Sequence, residues 1–140
     1  AKLFIIGWWM LAVGTLNELA GTEFTVIFVL LWLAARATVF HAITTFREMC
    51  DHFGLRPAGI LSFTRDMDCH GVWRALIHPR NNGYHLTHHL LPAVPYYRLP
   101  EAHRLLKGQD VFRDRGKVCC AYFTGADSVT GAWQTQGWVP

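Results

Sequence analysis

The stretch "FTVIFVLLWLAARATVFHAI", residues 24–43, is the clearest apolar segment of the chain, with Arg36 in its second half and no acidic residue. Twenty residues of α-helix rise about 30 Å, which is close to the hydrocarbon thickness of a bilayer. A buried helix of a soluble protein can have a similar composition, but this length and hydropathy favour a membrane span. We therefore predict a membrane-spanning helix at about residues 24–43.

A second apolar segment, "LFIIGWWMLAVGTL", occupies residues 3–16. Its fourteen residues are short for a full span, but polypeptide before residue 1, or a Lys2 side chain that reaches the interface, would lengthen it. The intervening "NELAGTE", residues 17–23, has a glycine and two acids and predicts a turn. We expect membrane helices at about 1–16 and 24–43, joined as a hairpin.

The distribution of charge predicts how this hairpin is oriented. Only Lys2 and Arg36 precede residue 44, so eleven of the thirteen basic residues follow it. Cytoplasmic segments are enriched in Lys and Arg, which places the 17–23 loop outside and the rest of the chain in the cytoplasm. The charged fraction of 16% is below the roughly 25% of soluble domains, and a net charge of +3 is too small to favour nucleic acid. We expect an integral membrane protein.

Beyond the hairpin, short helices are separated by glycine and proline. "TTFREMCDHFG" continues the second helix to a stop at Gly54, and a short helix is predicted from Trp73 to Ile77. Pro100 and Gly108 bracket another helix. The fold class is therefore mainly α, with a helical hairpin followed by a cytoplasmic helical cap at residues 44–108. Residues 109–140 have little periodicity and are treated as a C-terminal tail.

The stretch "NNGYHLTHHLLPAVPYYRLPEAH", residues 81–103, holds four of the eight histidines. We expect a helix here with Asn82 as its N-cap. His85 would then share a face with both His88 and His89, since residues three and four apart are neighbours. His88 and His89 diverge by about 100° around the axis, so that the adjacent pair could serve two metal ions. Imidazole nitrogens suit iron, copper and zinc, and we predict that all three bind metal.

Other residues of the chain have both a metal-binding and a structural interpretation. His52 lies near the end of the second predicted helix, where it could project towards the cluster as a fourth ligand or be an exposed surface residue. Glu48, one turn earlier, could be a ligand or half of an ion pair with a neighbouring arginine. His70, His78 and His103 are expected to be structural or surface residues.

The motif at residues 81–106, "NNGYHLTHHLLPAVPYYRLPEAHRLL", resembles the last histidine box of the membrane fatty acid desaturases, written H-x-x-H-H, with its proline and aromatic continuation. "REMCDHFG", residues 47–54, is similar to the family stretch Arg-x-x-Ala-Glu-His, which supplies one more histidine. Cys50 and Asp51 stand where Ala and Glu are common. The likeness of layout covers residues 1–107, so that 1–108 is expected to be the C-terminal part of a desaturase-like domain.

This resemblance implies a non-haem di-iron centre at the cytoplasmic surface, with His52, His85, His88 and His89 among its ligands and no catalytic residue separate from them. In this family O₂ is used to introduce a double bond into a lipid acyl chain, with electrons from a donor such as ferredoxin or cytochrome b5. Thr87 stands where the family often has Glu, which would alter the groups that orient the ligands.

The earlier histidine boxes of the family have no counterpart, because His41 is the first histidine. We expect the remaining iron ligands to come from upstream polypeptide, so that residues 1–140 would be a desaturase fragment, inactive alone. Two alternatives remain open. One is a carotenoid or alkyl hydroxylase or ketolase with the same kind of histidine box. The other is a non-catalytic membrane hairpin with a structural metal site.

Overall fold

The structure, a computed structural model, describes residues 2–136. It is mainly helical: two long apolar N-terminal helices are followed by a region of short helices that carries the histidine cluster. The chain divides into two compact units, Ala1–Ala42 and Ile43–Pro140. The fold class predicted from the sequence is confirmed in these terms.

The first unit contains helix α1, Lys2–Ala20, and helix α2, Thr22–Ala35. They are separated by Gly21 alone, whose φ of 82° lies in the left-handed region that glycine adopts without steric cost. The predicted turn at 17–23 is therefore narrower than expected. The rings of Trp9 and Trp32, at similar distances along the chain from Gly21, pack with centroids 4.6 Å apart, which makes the two helices a hairpin.

The apolar side chains of this unit are largely uncovered. Leu3, Leu19 and Leu31 expose 84%, 82% and 66% of their surface. Among the described residues, the helical stretches Lys2–Ala20 and Thr22–His52 are long and apolar enough to cross a membrane. So large an exposed apolar surface is costly in water, at about 25 cal/mol per Å², and it suggests association with a membrane.

Arg36, the charged residue of the apolar segment at residues 24–43, begins a short π-helical segment, Arg36–Phe40. Its guanidinium lies over the rings of Trp32 and Phe40, 5.3 and 4.9 Å from their centroids. These cation–π contacts keep the charge against polarisable groups on its own helix. The helix continues as α3, His41–His52.

The second unit is built from short elements. In chain order they are α4 (Ile60–Phe63), β1 (Asp66–Met67), α5 (Val72–Ile77), a 3₁₀ turn (Pro79–Asn81), α6 (His85–Leu90), a 3₁₀ turn (Tyr96–Arg98), α7 (Leu99–Lys107), α8 (Asp110–Arg115), β2 (Val118–Cys119) and α9 (Val129–Gln136). The predicted stop at Gly54 is confirmed: α3 ends at His52, and Gly54, two residues later, has a φ of 75°. The helix bracketed by Pro100 and Gly108 is confirmed as α7.

Residues of the tail form part of the hydrophobic core of this unit. Strands β1 and β2 pair in parallel, with Asp66 opposite Val118 and Met67 opposite Cys119. The core comprises Cys50, Met67, Cys69, Ile77, Cys119, Tyr122 and Val129. Three of these seven residues follow residue 109, so the tail is packed into the unit that carries the histidines. The cysteines are free thiols.

Candidate metal centre

The end of α3 presents His52, and neighbouring segments fix that end. The Asp51 carbonyl accepts hydrogen bonds from the Arg65 N–H at 3.1 Å and the Thr64 hydroxyl at 3.2 Å. The buried Arg65 guanidinium donates to the Phe53 carbonyl at 2.5 Å. A cation at a helix C-terminus satisfies carbonyls that have no partner within the helix and opposes the negative end of the helix dipole.

Helix α6, which carries the other candidates, is capped by a residue from another element. The prediction of Asn82 as the N-cap is wrong, because the helix begins at His85 and Tyr84 occupies the N-cap position. The Tyr84 side chain makes no capping hydrogen bond. Instead the Asp66 carboxylate accepts the Thr87 N–H at 3.0 Å and the Thr87 hydroxyl at 2.5 Å. A carboxylate at a helix N-terminus is favourable because it accepts from free backbone donors.

The approach to α6 also requires a glycine. The Met67 N–H donates to the Gly83 carbonyl at 2.6 Å, and a Cβ on residue 83 would lie 2.8 Å from the Met67 carbonyl oxygen. This close contact of backbones fixes the start of α6 against β1. The glycine directly before Tyr84 and the histidines is thus explained by packing of Gly83 against Met67.

These elements bring three of the four predicted site residues together. The Nε2 atom of His85 lies 3.1 Å from Nε2 of His52 and 3.1 Å from Nε2 of His89. One ligand atom from each residue lies within 4.8 Å of those of the other two. His52 and His85 are 33 residues apart, so the cluster is formed by the tertiary fold.

The donor set fits a metal ion better than it fits protons. A ring nitrogen carries either one proton or one lone pair, so the Nε2 atom of His85 cannot form good hydrogen bonds with two other imidazoles at once. Two nitrogens bound to one ion at about 2.0–2.1 Å lie roughly 2.9–3.4 Å apart for usual bond angles. The two separations from Nε2 of His85, to His52 and to His89, fall within that range.

The opposite ring nitrogens help to set the tautomers. Nδ1 of His52 lies 3.2 Å from the Phe63 carbonyl, to which it can only donate, so the lone pair falls on Nε2. Nδ1 of His85 lies 3.9 Å from Oδ2 of Asp51, a carboxylate with 2% exposure. A carboxylate on this side favours a proton on Nδ1 and leaves Nε2 free to bind.

The histidine pKa values are shifted in the direction that metal binding needs. Burial lowers the pKa of His85; the Asp51 carboxylate opposes this effect, while His89 and His52 add to it. Burial also lowers the pKa of His89, with further contributions from His52 and His88. The neutral imidazole, which is the form that binds metal, is therefore favoured at neutral pH.

The structure does not bring His88 into this group. His88 is exposed, and its ring centroid lies 5.9 Å from that of His89. With His85, it lines a cavity of about 300 Å³. The other lining residues are Arg47, Asp51, Asn82, Val94, Tyr96 and Leu99. The adjacent histidines therefore diverge, as the helical spacing predicted, and His85 belongs both to the cavity lining and to the three-histidine cluster.

The structure also shows the contacts and exposure of Glu48 and of the histidines expected to be structural or surface residues. Glu48 is in an ion pair with Arg47 at 2.6 Å. His78 and His103 are buried, with 1% and 3% exposure, and are hydrogen-bonded to Asp51 and Asp66 respectively. His70 is exposed. The structural or surface roles expected for these three histidines agree with their positions.

Asp66 and Tyr122 were missed by sequence reasoning. Asp66 contacts Thr87, 21 residues away, and His103, 37 residues away. Tyr122 contacts His78 across 44 residues. Separations of this size follow no helical or strand period, so no local pattern marks either residue.

A mainly helical protein with two long apolar helices and converging histidine nitrogens has the features of a membrane-associated histidine-box metalloprotein. Comparison with protein families identifies the family: the model named "Fatty acid desaturase" matches residues 1–119. The chain belongs to the fatty acid desaturase family, whose members are oxidoreductases. No match was found among curated proteins or among solved structures.

Proposed function

We propose that this protein takes part in O₂-dependent desaturation of a lipid acyl chain, with His52, His85, His88 and His89 among the ligands of a di-iron centre. The single observation that carries the proposal is the convergence of three Nε2 atoms, at 3.1 Å on either side of His85, in a chain of the desaturase family. The chemistry that bound iron supplies in this family is activation of O₂ for hydrogen removal from an unactivated C–H bond.

The residues of this chain contribute binding and orientation. His52 and His89 would share one ion with His85, since their Nε2 atoms face that of His85. His88 would serve the second ion from the side of the cavity, which it lines together with His85. Four imidazoles do not complete two coordination spheres, so further ligands would come from other residues.

We also propose that the two apolar helices span the membrane and that the histidine cluster faces the cytoplasm. The predominance of basic residues after residue 44 supports this orientation. An acyl chain would then reach the site from the lipid. Electrons would come from a separate donor such as ferredoxin or cytochrome b5, as membership of the desaturase family implies.

The test is product and metal analysis of the protein expressed from its complete coding sequence in a host with acyl lipids and a compatible electron donor. We expect new double bonds and two irons per chain. Replacement of His52, His85, His88 or His89 by Ala should abolish the product and reduce the iron content. His70→Ala, which changes an exposed histidine outside the cluster, is the matched control and should retain both.

Other products would redirect the assignment. Hydroxylated or ketolated products without new double bonds would replace desaturation by the related oxygenation chemistry. Stoichiometric zinc with no O₂ consumption would exclude an oxidoreductase and leave a structural metal site.

A further inference from the structure

Tyr122 lies beyond the 1–119 stretch that matches the family, yet its side chain is buried, with 4% exposure. Backbone hydrogen bonds hold this part of the tail on both sides of it. The Val129 N–H donates to the Ala121 carbonyl at 2.9 Å, and the Thr130 N–H donates to the Tyr122 carbonyl at 3.3 Å. The phenol position is therefore set by ordered backbone.

The Tyr122 hydroxyl begins a chain of buried polar contacts that ends at the metal site. It lies 2.9 Å from Nδ1 of His78, and Nε2 of His78 lies 3.1 Å from Oδ1 of Asp51. The other carboxylate oxygen of Asp51 lies 3.9 Å from Nδ1 of His85. His78 and Asp51 have 1% and 2% exposure, so solvent does not substitute for these partners.

The donors and acceptors of this chain define a direction. Burial raises the pKa of Tyr122 well above its ordinary value, so the hydroxyl keeps its proton. A neutral His78 can serve the Asp51 carboxylate only by donating from Nε2, which leaves a lone pair on Nδ1 to accept from the tyrosine. The other oxygen of Asp51 then faces Nδ1 of His85.

We propose that Tyr122 is a positioning residue of the metal site, acting through His78 and Asp51 to hold His85 with Nε2 ready to bind. The inference rests on the proposed metal binding by His52, His85 and His89. It adds a contribution from the tail, outside the family match. Loss of a side chain that hydrogen-bonds to a metal ligand, on the side away from the metal, changes metal affinity by about 10–100-fold.

The experiment uses Tyr122→Phe, which removes the hydroxyl and keeps the ring. Tyr84→Phe is the matched control, because Tyr84 is also buried, with 7% exposure, and donates to Oδ1 of Asp68 at 3.1 Å. Metal-free protein from the complete coding sequence is titrated with Co²⁺ alone and followed by its visible absorption. Tyr122→Phe should weaken Co²⁺ binding by about tenfold, the lower end of the range for losing a residue that supports a metal ligand. It should also shift the absorption bands.

The control and a double variant separate positioning from mere stability. Tyr84→Phe should change the Co²⁺ affinity by less than about twofold, although it also removes a buried hydrogen bond. Tyr122→Phe in an Asp51→Asn background should have no further effect on affinity, because the link to His85 is already altered. Equal affinities and spectra for the two tyrosine variants, or additive effects with Asp51→Asn, would overturn the inference.

A measurement on the unsubstituted protein covers the case in which Tyr122→Phe fails to fold. ¹⁵N shifts of selectively labelled histidine should show His78 protonated at Nε2 alone; protonation at Nδ1 alone would overturn the inference. Absence of Co²⁺ binding by the unsubstituted protein would overturn the metal site as well. Binding that requires His85 but is indifferent to Tyr122 would overturn only the role of the tyrosine.

Discussion

Two side-chain clusters of the second unit differ in what their histidine nitrogens face. In the first, His52, His85 and His89 direct Nε2 atoms at one another. In the second, His103 lies between two carboxylates: its Nδ1 is 2.7 Å from Oδ2 of Asp66, and its Nε2 is 3.5 Å from Oδ2 of Asp68. In the first cluster the ring nitrogens face other nitrogens, whereas in the second they face carboxylate oxygens.

This difference separates a binding site from a structural network. Buried polar groups in native proteins nearly always find partners, and Asp66 does so with Thr87 and His103. The Nε2 atoms of His52 and His89 both face Nε2 of His85, which cannot form good hydrogen bonds with both. A bound cation would satisfy all three nitrogens. Four predictions test whether the contrast is real, from the largest expected effect to the smallest.

Asp66→Ala should produce the largest loss of stability. It leaves the buried His103 ring, the Thr87 hydroxyl and the Thr87 N–H without their acceptor. Breaking a buried pair by removing one partner costs about 3–5 kcal/mol. The free energy of unfolding, measured by SDS titration in mixed micelles, should fall by this amount, and a loss below about 1 kcal/mol would contradict a structural network.

His85→Ala should have the opposite profile. Metal-free His85→Ala should lose less unfolding free energy than His103→Ala, since the Nε2 atom of His85 faces only other imidazole nitrogens. Co²⁺ affinity should fall more than about a hundredfold, beyond the range for outer partners. His103→Ala is the comparison variant, and its main effect should be a lower free energy of unfolding. Equal stability losses in the two variants would remove the contrast between the clusters.

Thr87→Val tests the link between the two clusters. It keeps the side-chain shape and the backbone N–H contact but removes the hydroxyl, which donates a hydrogen bond to Oδ2 of Asp66 at 2.5 Å. Hydrogen bonds to charged groups contribute about 1.5–3 kcal/mol, and we expect a loss in this range. Thr130→Val, which removes an exposed hydroxyl bonded to the Phe123 carbonyl, should cost much less.

The smallest effect is expected at Asp68. Burial alone would raise the pKa of its carboxyl, but the hydrogen bond from Lys107, with further contributions from His103 and Tyr84, lowers it overall. A lowered pKa contributes stability above the unfolded-state value, near 3.8, and that stability is lost as the pH falls below it.

Lys107→Met should therefore lower the unfolding free energy at pH 7 by about 0.2–1 kcal/mol, since the ammonium is half exposed. The difference from the unsubstituted protein should shrink as the pH is lowered from 7 to 2, since protonation of the carboxyl removes the ion pair. A difference that is equal at both pH values would assign the effect to packing of the lysine stem.

The amino-acid sequence predicted the parts of this molecule that depend on local patterns. The apolar runs predicted the two long helices, and Gly54, Pro100 and Gly108 predicted helix ends, because each acts on the backbone within a few residues. Asn82 was also predicted to mark a helix end, and that prediction was wrong. The cap of α6 comes from Asp66, which competes from a distant element and cannot be detected by local spacing.

For the candidate site, the sequence by itself determined which side chains could bind a metal and that His88 and His89 would diverge around a helix. Only the tertiary structure decided that His52 meets His85 and His89, that Asp51 lies behind His85, and that the tail supplies Tyr122 to the same unit. The physical reason is that helical periodicity orients residues a few positions apart, whereas contacts across 33 or 44 residues depend on how the elements pack.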